Sequence, residues 1–470
     1  MREKLSGKNW FIITLFCFVG GIAWNTENNY FNTFIYNSVY ADASRAAMEG
    51  SMAPTTAVSR MVALSAVAAV ITTFVMGTLS DKLKNRRLFI SVGYILWGIV
   101  TGMFGFITKE NVAGLFRLSD EVMILTSTVW FVIIMDIFMT FMGSTSNDAA
   151  FQAWVTDVTS AKQRALVETV LSVVGTVSFG AVVGVGSFAQ AGKLSYRDFF
   201  MILGAIVSVC GIAGLFLIKD PPRTVKKEER STSYFADLFY GFKPGVIKDN
   251  PRLYLALSAF GISTVGFQVF YPYLLVYIQY VVIPDNGGAE NILRPSVILT
   301  AAAVLVLLVA SVLTLLKFSS KNKGLFLAVC SVVMIAGLLL ISTTTNIHMM
   351  LIGVLPVVIG NAIITILLGA AVKDFIPEGK AGLFQGIRMI FVVLIPMVVG
   401  PYLGDIASRN AAATYLNEFG VETIVPNKNM FLVSAIVCSL LLIPLFFLIR
   451  KGFHVEEKAP VPETAQAEEA

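Results

Sequence analysis

The chain has 470 residues, of which 56% are hydrophobic and 14% charged, and its formal net charge is +5. That balance excludes an ordinary soluble domain, whose apolar stretches stop at about 10–14 residues, because the runs here reach about 20 or more. The excess of lysine and arginine is not a nucleic-acid signal, since these residues gather on one side of a bilayer.

Met1 to Lys8 is polar and basic, and the apolar run behind it outlasts the core of a cleavable signal. Membrane-spanning helices are expected at about 9–39, 55–79, 88–108, 122–154, 163–190, 198–218, 252–282, 295–317, 324–343, 347–371, 380–406 and 429–449. These make an all-α integral membrane protein of twelve helices, and an even number leaves both termini on one face. Lysine and arginine number roughly 25 on that face against roughly 9 on the other, which places both termini in the cytoplasm.

The first span carries Trp24, Asn25, Glu27, Asn28, Asn29, Tyr30 and Asn32. At about 100° per residue, Asn25, Asn28, Asn29 and Asn32 share one arc, with Glu27 and Tyr30 on the opposite flank. A polar side chain facing lipid is costly, so one flank is expected to line a water-filled pathway. The asparagines serve equally well as hydrogen bonds between helices. For Glu27, an unpaired structural carboxylate is the weaker reading.

Between the second and third spans runs Gly77-Thr78-Leu79-Ser80-Asp81-Lys82-Leu83-Lys84-Asn85-Arg86-Arg87. A glycine lets two helices approach, an acid can lie against a helix end, and the bases hold the turn in the cytoplasm. In the fourth span Asp136, Thr140, Ser144, Asp148 and Gln152 recur every four residues, with Asn147 alongside. This spacing sets the two carboxylates about 18 Å apart along one face. A buried carboxyl of this kind can exchange a proton near neutral pH. Asp148 has the competing option of pairing with Arg164. Asp157 and Arg164 are expected to join Asp81, Arg86 and Arg87 in a cytoplasmic charge cluster that holds the two halves closed, or else to form a static surface network.

Lys219 to Arg252 is the longest polar stretch and is opened by Asp220-Pro221-Pro222. It divides the chain into six-helix bundles at 1–218 and 252–450, joined by a linker at 219–251, with a disordered tail at 451–470. The seventh span presents Gln268 and Tyr271 deep enough to line a cavity. Aromatic faces stack on the apolar side of sugar rings, and amides bond the hydroxyls. Arg388 in the eleventh span is expected to snorkel to the cytoplasm. Cys17, Cys210, Cys330 and Cys438 sit in four different spans, which suits neither disulfides nor a metal site. No metal or cofactor is expected, and there is no His cluster, phosphate loop or nucleophile elbow to suggest an enzyme.

The Gly77-to-Arg87 run resembles the loop between helices 2 and 3 of the major facilitator superfamily, G-x-L-x-D-x-x-x-x-R-R, with Asn85, a residue that tolerates a left-handed turn, in place of the usual glycine. Asn147-Asp148-Ala149-Ala150-Phe151-Gln152-Ala153-Trp154-Val155-Thr156-Asp157, continuing to Lys162-Gln163-Arg164, resembles the end of helix 4 in the glycoside–pentoside–hexuronide:cation symporters and the related sucrose transporters. The resemblance implies two pseudo-symmetric six-helix bundles and makes Asp148 the helix 4 aspartate of the cation site. The two helix 2 aspartates of melibiose-type carriers align here with Ala69 and Thr73, so a proton fits better than sodium.

The resulting expectation is a monomeric cell-membrane transporter that carries a small polar solute, a sugar or glycoside, with a proton. Glu27, Asp148 and Asp136 are the coupling residues. Asn28, Asn32, Gln152, Gln268 and Tyr271 contact solute, and Gly77, Asp81, Arg86, Arg87, Asp157 and Arg164 form the cytoplasmic gate. The partners are the solute, the cation and the lipid bilayer, with no nucleic acid. A proton-driven exporter of amphipathic compounds would use the same acids with a more apolar cavity. A non-transporting sensor on the same fold would need no acids in its middle.

Overall fold

The computed structural model describes residues 5–83, 85–159, 163–190, 192–220, 242–288, 323–376, 386–410 and 413–452. The span expected at 295–317, most of the linker and the tail beyond Gly452 lie outside the described residues, as do the side chains of Asp81 and Arg164. The first bundle comprises α1 (Gly7–Val39), α2 (Pro54–Leu83), α3 (Arg86–Phe106), α4 (Glu121–Val158), α5 (Arg164–Gln190) and α6 (Tyr196–Leu217). The second comprises α7 (Pro251–Asp285), α8 (Lys323–Thr343), α9 (Ile347–Asp374), α10 (Gly386–Asn410) and α11 (Asn429–Arg450). Ten of these helices are long and apolar enough to cross a membrane, and α5 holds a shorter apolar run, Val173–Ala189.

Local chemistry sets the helix ends. Ser6, Asp120 and Ser195 each accept a hydrogen bond from the backbone N–H three residues on, satisfying donors that a helix start leaves open. Pro54 and Pro251 open α2 and α7, where a missing N–H costs nothing. Asn85, a residue that tolerates a left-handed turn, does not use that conformation here. Its φ is −128°, and its side chain caps α3 by accepting from Leu88 N at 3.1 Å. The cap replaces the need for glycine.

The two bundles repeat one packing plan. In the first, α1 lies on α5 and α3 on α6; in the second, α7 lies on α10 and α8 on α11. Where water cannot drive helices together, close backbone approach must, and it needs small residues. At the α3–α6 contact a Cβ on Gly98 would fall 2.3 Å from Gly204 O, and one on Gly204 would fall 2.4 Å from Gly98 O. The halves meet chiefly where α2 packs on α10 and where α1 faces α7.

One element departs from the all-helical expectation. Between α10 and α11, β1 (Thr414–Leu416) and β2 (Glu422–Ile424) form an antiparallel hairpin on the face away from the termini. Asn417 Oδ1 accepts from Phe419 N and Val421 N at 3.0 and 2.9 Å, and Gly420 supplies a φ of +68°. This is a tight turn built by a side chain and a glycine.

Candidate functional site

The polar stretch of α1 is not a plain α-helix. Thr26–Phe31 and Ile35–Val39 are π-helical, a feature that often marks functional positions. The asparagines help build the distortion. Asn25, Asn28, Asn29 and Asn32 each donate Nδ2 to the carbonyl four residues earlier, at 2.7–2.9 Å. The wider turn also redistributes the faces expected from an ideal wheel. Glu27 turns to α4, whereas Tyr30 turns to α5, donating to Val183 O at 3.3 Å and lying over Gly186.

Two carboxyl clusters result. In the first, Glu27 is 7% exposed and accepts from Thr140 Oγ1 at 2.8 Å through Oε1. One turn before Thr140, Asp136 is 2% exposed and accepts from Ser65 Oγ of α2. Its bond to Thr140 sets Glu27 against the turn of α4 next to that of Asp136. Glu27 Oε2 and Asp136 Oδ1 are both buried with no hydrogen-bond partner among the described residues. The second cluster surrounds Asp148, which is half-buried in the π-helical turn Ser144–Phe151. Ser144 Oγ donates to it at 3.1 Å, and Asn147 Nδ2 approaches at 3.4 Å. Tyr94 fixes Asn147, its hydroxyl lying 2.9 Å from Asn147 Oδ1. Gly143 leaves room for the Trp24 and Trp97 rings, which a Cβ would meet at 2.9 and 2.8 Å. The four-residue stripe of α4 thus serves two clusters, Thr140 going to Glu27 and Ser144 to Asp148.

The solute candidates separate as well. Tyr271 is half-buried, stacks on Phe267 at 5.0 Å, and accepts from Asn29 Nδ2 at 3.3 Å, joining α1 to α7. Asn29, not among the expected solute contacts, therefore meets the second half at this depth. Asn28 is half-buried, but Asn32 is 1% exposed with its amide turned back into α1. Gln268 packs against Gly400 of α10, and Gln152 is exposed one turn beyond Asp148.

The basic turn is organised within the first bundle. Arg86 is 6% exposed, donates Nε to Asp157 Oδ2 at 2.7 Å, and approaches Ser80 Oγ at 3.3 Å. Arg87 donates its backbone N–H to Asp220 at 3.2 Å and its guanidinium to Leu215 O. These contacts tie α2, α3, α4 and the end of α6 together. Gly77 is not required by close approach either, since a Cβ there would meet only Ala149 Cβ, at 3.9 Å. Arg86→Ala removes the buried guanidinium that bonds Asp157 and approaches Ser80. It is expected to lower the thermal stability of the protein by about 2 kcal/mol, read by fluorescence-detected melting in detergent; an unchanged transition would make the pair incidental.

Hydrogen bonds between the halves, among the described residues, lie at mid-depth or toward the face away from the termini. Asp405 of α10 is 1% exposed and receives Thr55 Oγ1 at 2.6 Å and Thr56 Oγ1 at 3.1 Å from the start of α2, with Arg409 at 3.0 Å. Tyr273 donates to Pro401 O at 2.8 Å and lies 3.2 Å from Thr55 O. Asn417 of the hairpin donates to Ala43 O at 2.8 Å.

Two like bundles, latched at one face and holding buried carboxyls beside the seam between them, define a membrane transporter rather than an enzyme. The match of the Major Facilitator Superfamily model to residues 16–401 places the chain in that superfamily. The crystal structure of the nucleoside transporter NupG is similar over 93% of this chain and 99% of its own, with a TM-score of 0.67 at 11% identity. A bacterial homologue of the human lysosomal transporter Spinster, inward-facing and occupied, is similar over 94% of this chain and 95% of its own, with a TM-score of 0.60 at 14% identity. No curated protein matches the chain.

Proposed function

We propose that this transporter moves a small neutral polar solute, a sugar or glycoside, together with a proton across the cell membrane, with both termini in the cytoplasm. The Glu27–Asp136 pair carries the reading. Two buried carboxyls, Glu27 being bonded to Thr140 one turn along α4 from Asp136, each with an oxygen that nothing in the described protein satisfies, demand a compensating positive charge. A proton is the smallest such charge, and Ser65 and Thr140 hold one oxygen of each acid so that the other stays available. Asn29 and Tyr271, at the seam between the halves, offer an amide and a phenol to a hydroxylated solute. The latched far face corresponds to the state open toward the termini, so release to the cytoplasm follows solute and proton exchange in this geometry. Asp148, half-exposed nearer that face, receives the proton on its way out.

The test is solute-induced proton movement in proteoliposomes with a trapped pH dye, using hexoses, disaccharides, aryl glycosides, nucleosides and cationic dyes in turn. External alkalinisation on adding a sugar supports the reading. A response only to dyes would replace it with an amphipathic-compound exporter, and uptake that follows a sodium gradient alone would replace the proton. Asp148→Asn is expected to slow proton-coupled uptake at least tenfold while solute binding stays within about threefold, because the residue sits on the proton's route; rates equal to wild type would remove Asp148 from that route.

A further inference from the structure

A polar cavity lies on the far face, with the latch residue Asn417 in its wall. Its volume is about 620 Å³, and its walls include Asn37, Tyr196, Gln279, Tyr280, Tyr415 and Asn417. That size falls within the range of small-molecule sites, about 300–1,000 Å³. We propose that this vestibule is a docking site for a neutral, polyhydroxylated solute with an apolar ring face, met before the transporter opens. The inference rests on the sugar reading above and extends it to a site that opens the far gate.

Asn37 is the hub of the vestibule floor. Its Nδ2 donates to Tyr196 Oη at 2.6 Å and to Gln279 Oε1 at 3.1 Å. Its Oδ1 accepts from Gln279 Nε2 at 3.1 Å and from the Tyr280 hydroxyl. The reciprocal amide pair joins α1 to α7 and so joins the two halves. Every group in the hub is neutral, and each is of the type that binds sugar hydroxyls. A hydroxyl both donates and accepts, so a solute can take over these bonds one for one. Exchanging one neutral hydrogen bond for another costs little, whereas breaking it to nothing leaves half-buried polar groups unpaired. Solute in the vestibule therefore loosens the contact between halves without that penalty.

The walls suit the same class of solute. Tyr280 and Tyr415 both line the cavity with ring centroids 4.1 Å apart, making an aromatic side against which a ring face can pack. Glu418 is the single charged residue among the described lining, and it is exposed. The nearby ionic groups line an adjoining cavity of about 370 Å³, where Lys109 pairs with Asp42 and Arg197 sits over Phe106 at 4.7 Å. The hairpin that supplies Tyr415 is pinned to the first half through Asn417 and through Glu418 N to Ala41 O at 3.0 Å. Solute held there touches both halves at once.

Binding of sucrose and of 4-nitrophenyl β-glucoside to the purified full-length protein in nanodiscs, followed by saturation-transfer NMR and calorimetry, tests the proposal. At least one of the two sugars is expected to bind wild type at two sites. Tyr415→Ala should weaken one of them at least tenfold, and Tyr271→Ala should weaken the other while sparing the first. Tyr415→Phe keeps the ring and should retain vestibule binding within threefold, which separates lost stacking from a misfolded hairpin. Binding that vanishes in Tyr271→Ala and is untouched in Tyr415→Ala overturns the vestibule and leaves the sugar reading standing. Failure of both sugars to bind wild type overturns the solute class for both sites.

Discussion

Glu27→Gln is expected to abolish accumulation of solute against a gradient while exchange of solute down its gradient continues. The amide keeps the length of the side chain and an oxygen to accept from Thr140, so α1 and α4 remain joined. What it loses is the capacity to take up and release a proton beside Asp136. With one proton per solute, a pH difference of one unit supplies about 1.4 kcal/mol, enough for about tenfold accumulation. The variant should stop at equal concentrations on both sides. Uptake driven by a pH jump, set beside counterflow in the same proteoliposomes, reads both quantities. Concentrative uptake at the wild-type ratio would remove Glu27 from coupling, and loss of counterflow as well would make it a solute-binding or folding residue instead.

Gly98→Ala is expected to be the most damaging small substitution in the first bundle. The added methyl would meet Gly204 O at 2.3 Å, Ser208 Oγ at 2.3 Å and Ser208 N at 2.5 Å. Two of those atoms are backbone, so relief requires α3 and α6 to move apart rather than one side chain to turn. Overpacking of this kind costs about 3 kcal/mol. Gly175→Ala is the control, because among the described residues nothing lies within 4 Å of its Cβ position. Melting of the two variants in the same detergent should separate them clearly. Equal melting temperatures would mean that the α3–α6 contact is looser than the backbone distances require.

The architecture was legible in the sequence because a bilayer imposes it residue by residue. Apolar runs long enough to cross, separated by charged turns, leave few alternatives for a backbone that must satisfy its own hydrogen bonds. The same constraint drew attention to Glu27, Asp136 and Asp148, since a carboxylate in a span needs a reason to be there. The hairpin at Thr414–Ile424 was less visible, because three-residue strands carry too little alternation to stand out from a loop. The capping role of Asn85 was hidden by a residue type that also suits left-handed turns.

The sequence by itself determined that this is a helical membrane transporter of two like bundles, and which side chains the membrane would not tolerate without a function. Only the tertiary structure decided how those side chains group. An ideal wheel set Glu27 and Tyr30 on one flank, but the π-helical turn at Thr26–Phe31 sent them to different helices. Asp136 and Asp148 share a stripe on α4, yet one joins Glu27 and Ser65 and the other joins Ser144 and Asn147. Among the described residues, the contacts of Arg86 with Asp157 and of Arg87 with Asp220 lie within the first half, whereas amides, hydroxyls and the buried Asp405 bridge the two halves. The reason is geometric: spacing along a helix specifies which residues share a face, whereas the neighbour that face meets depends on helical distortion and packing contributed by residues far away in the chain.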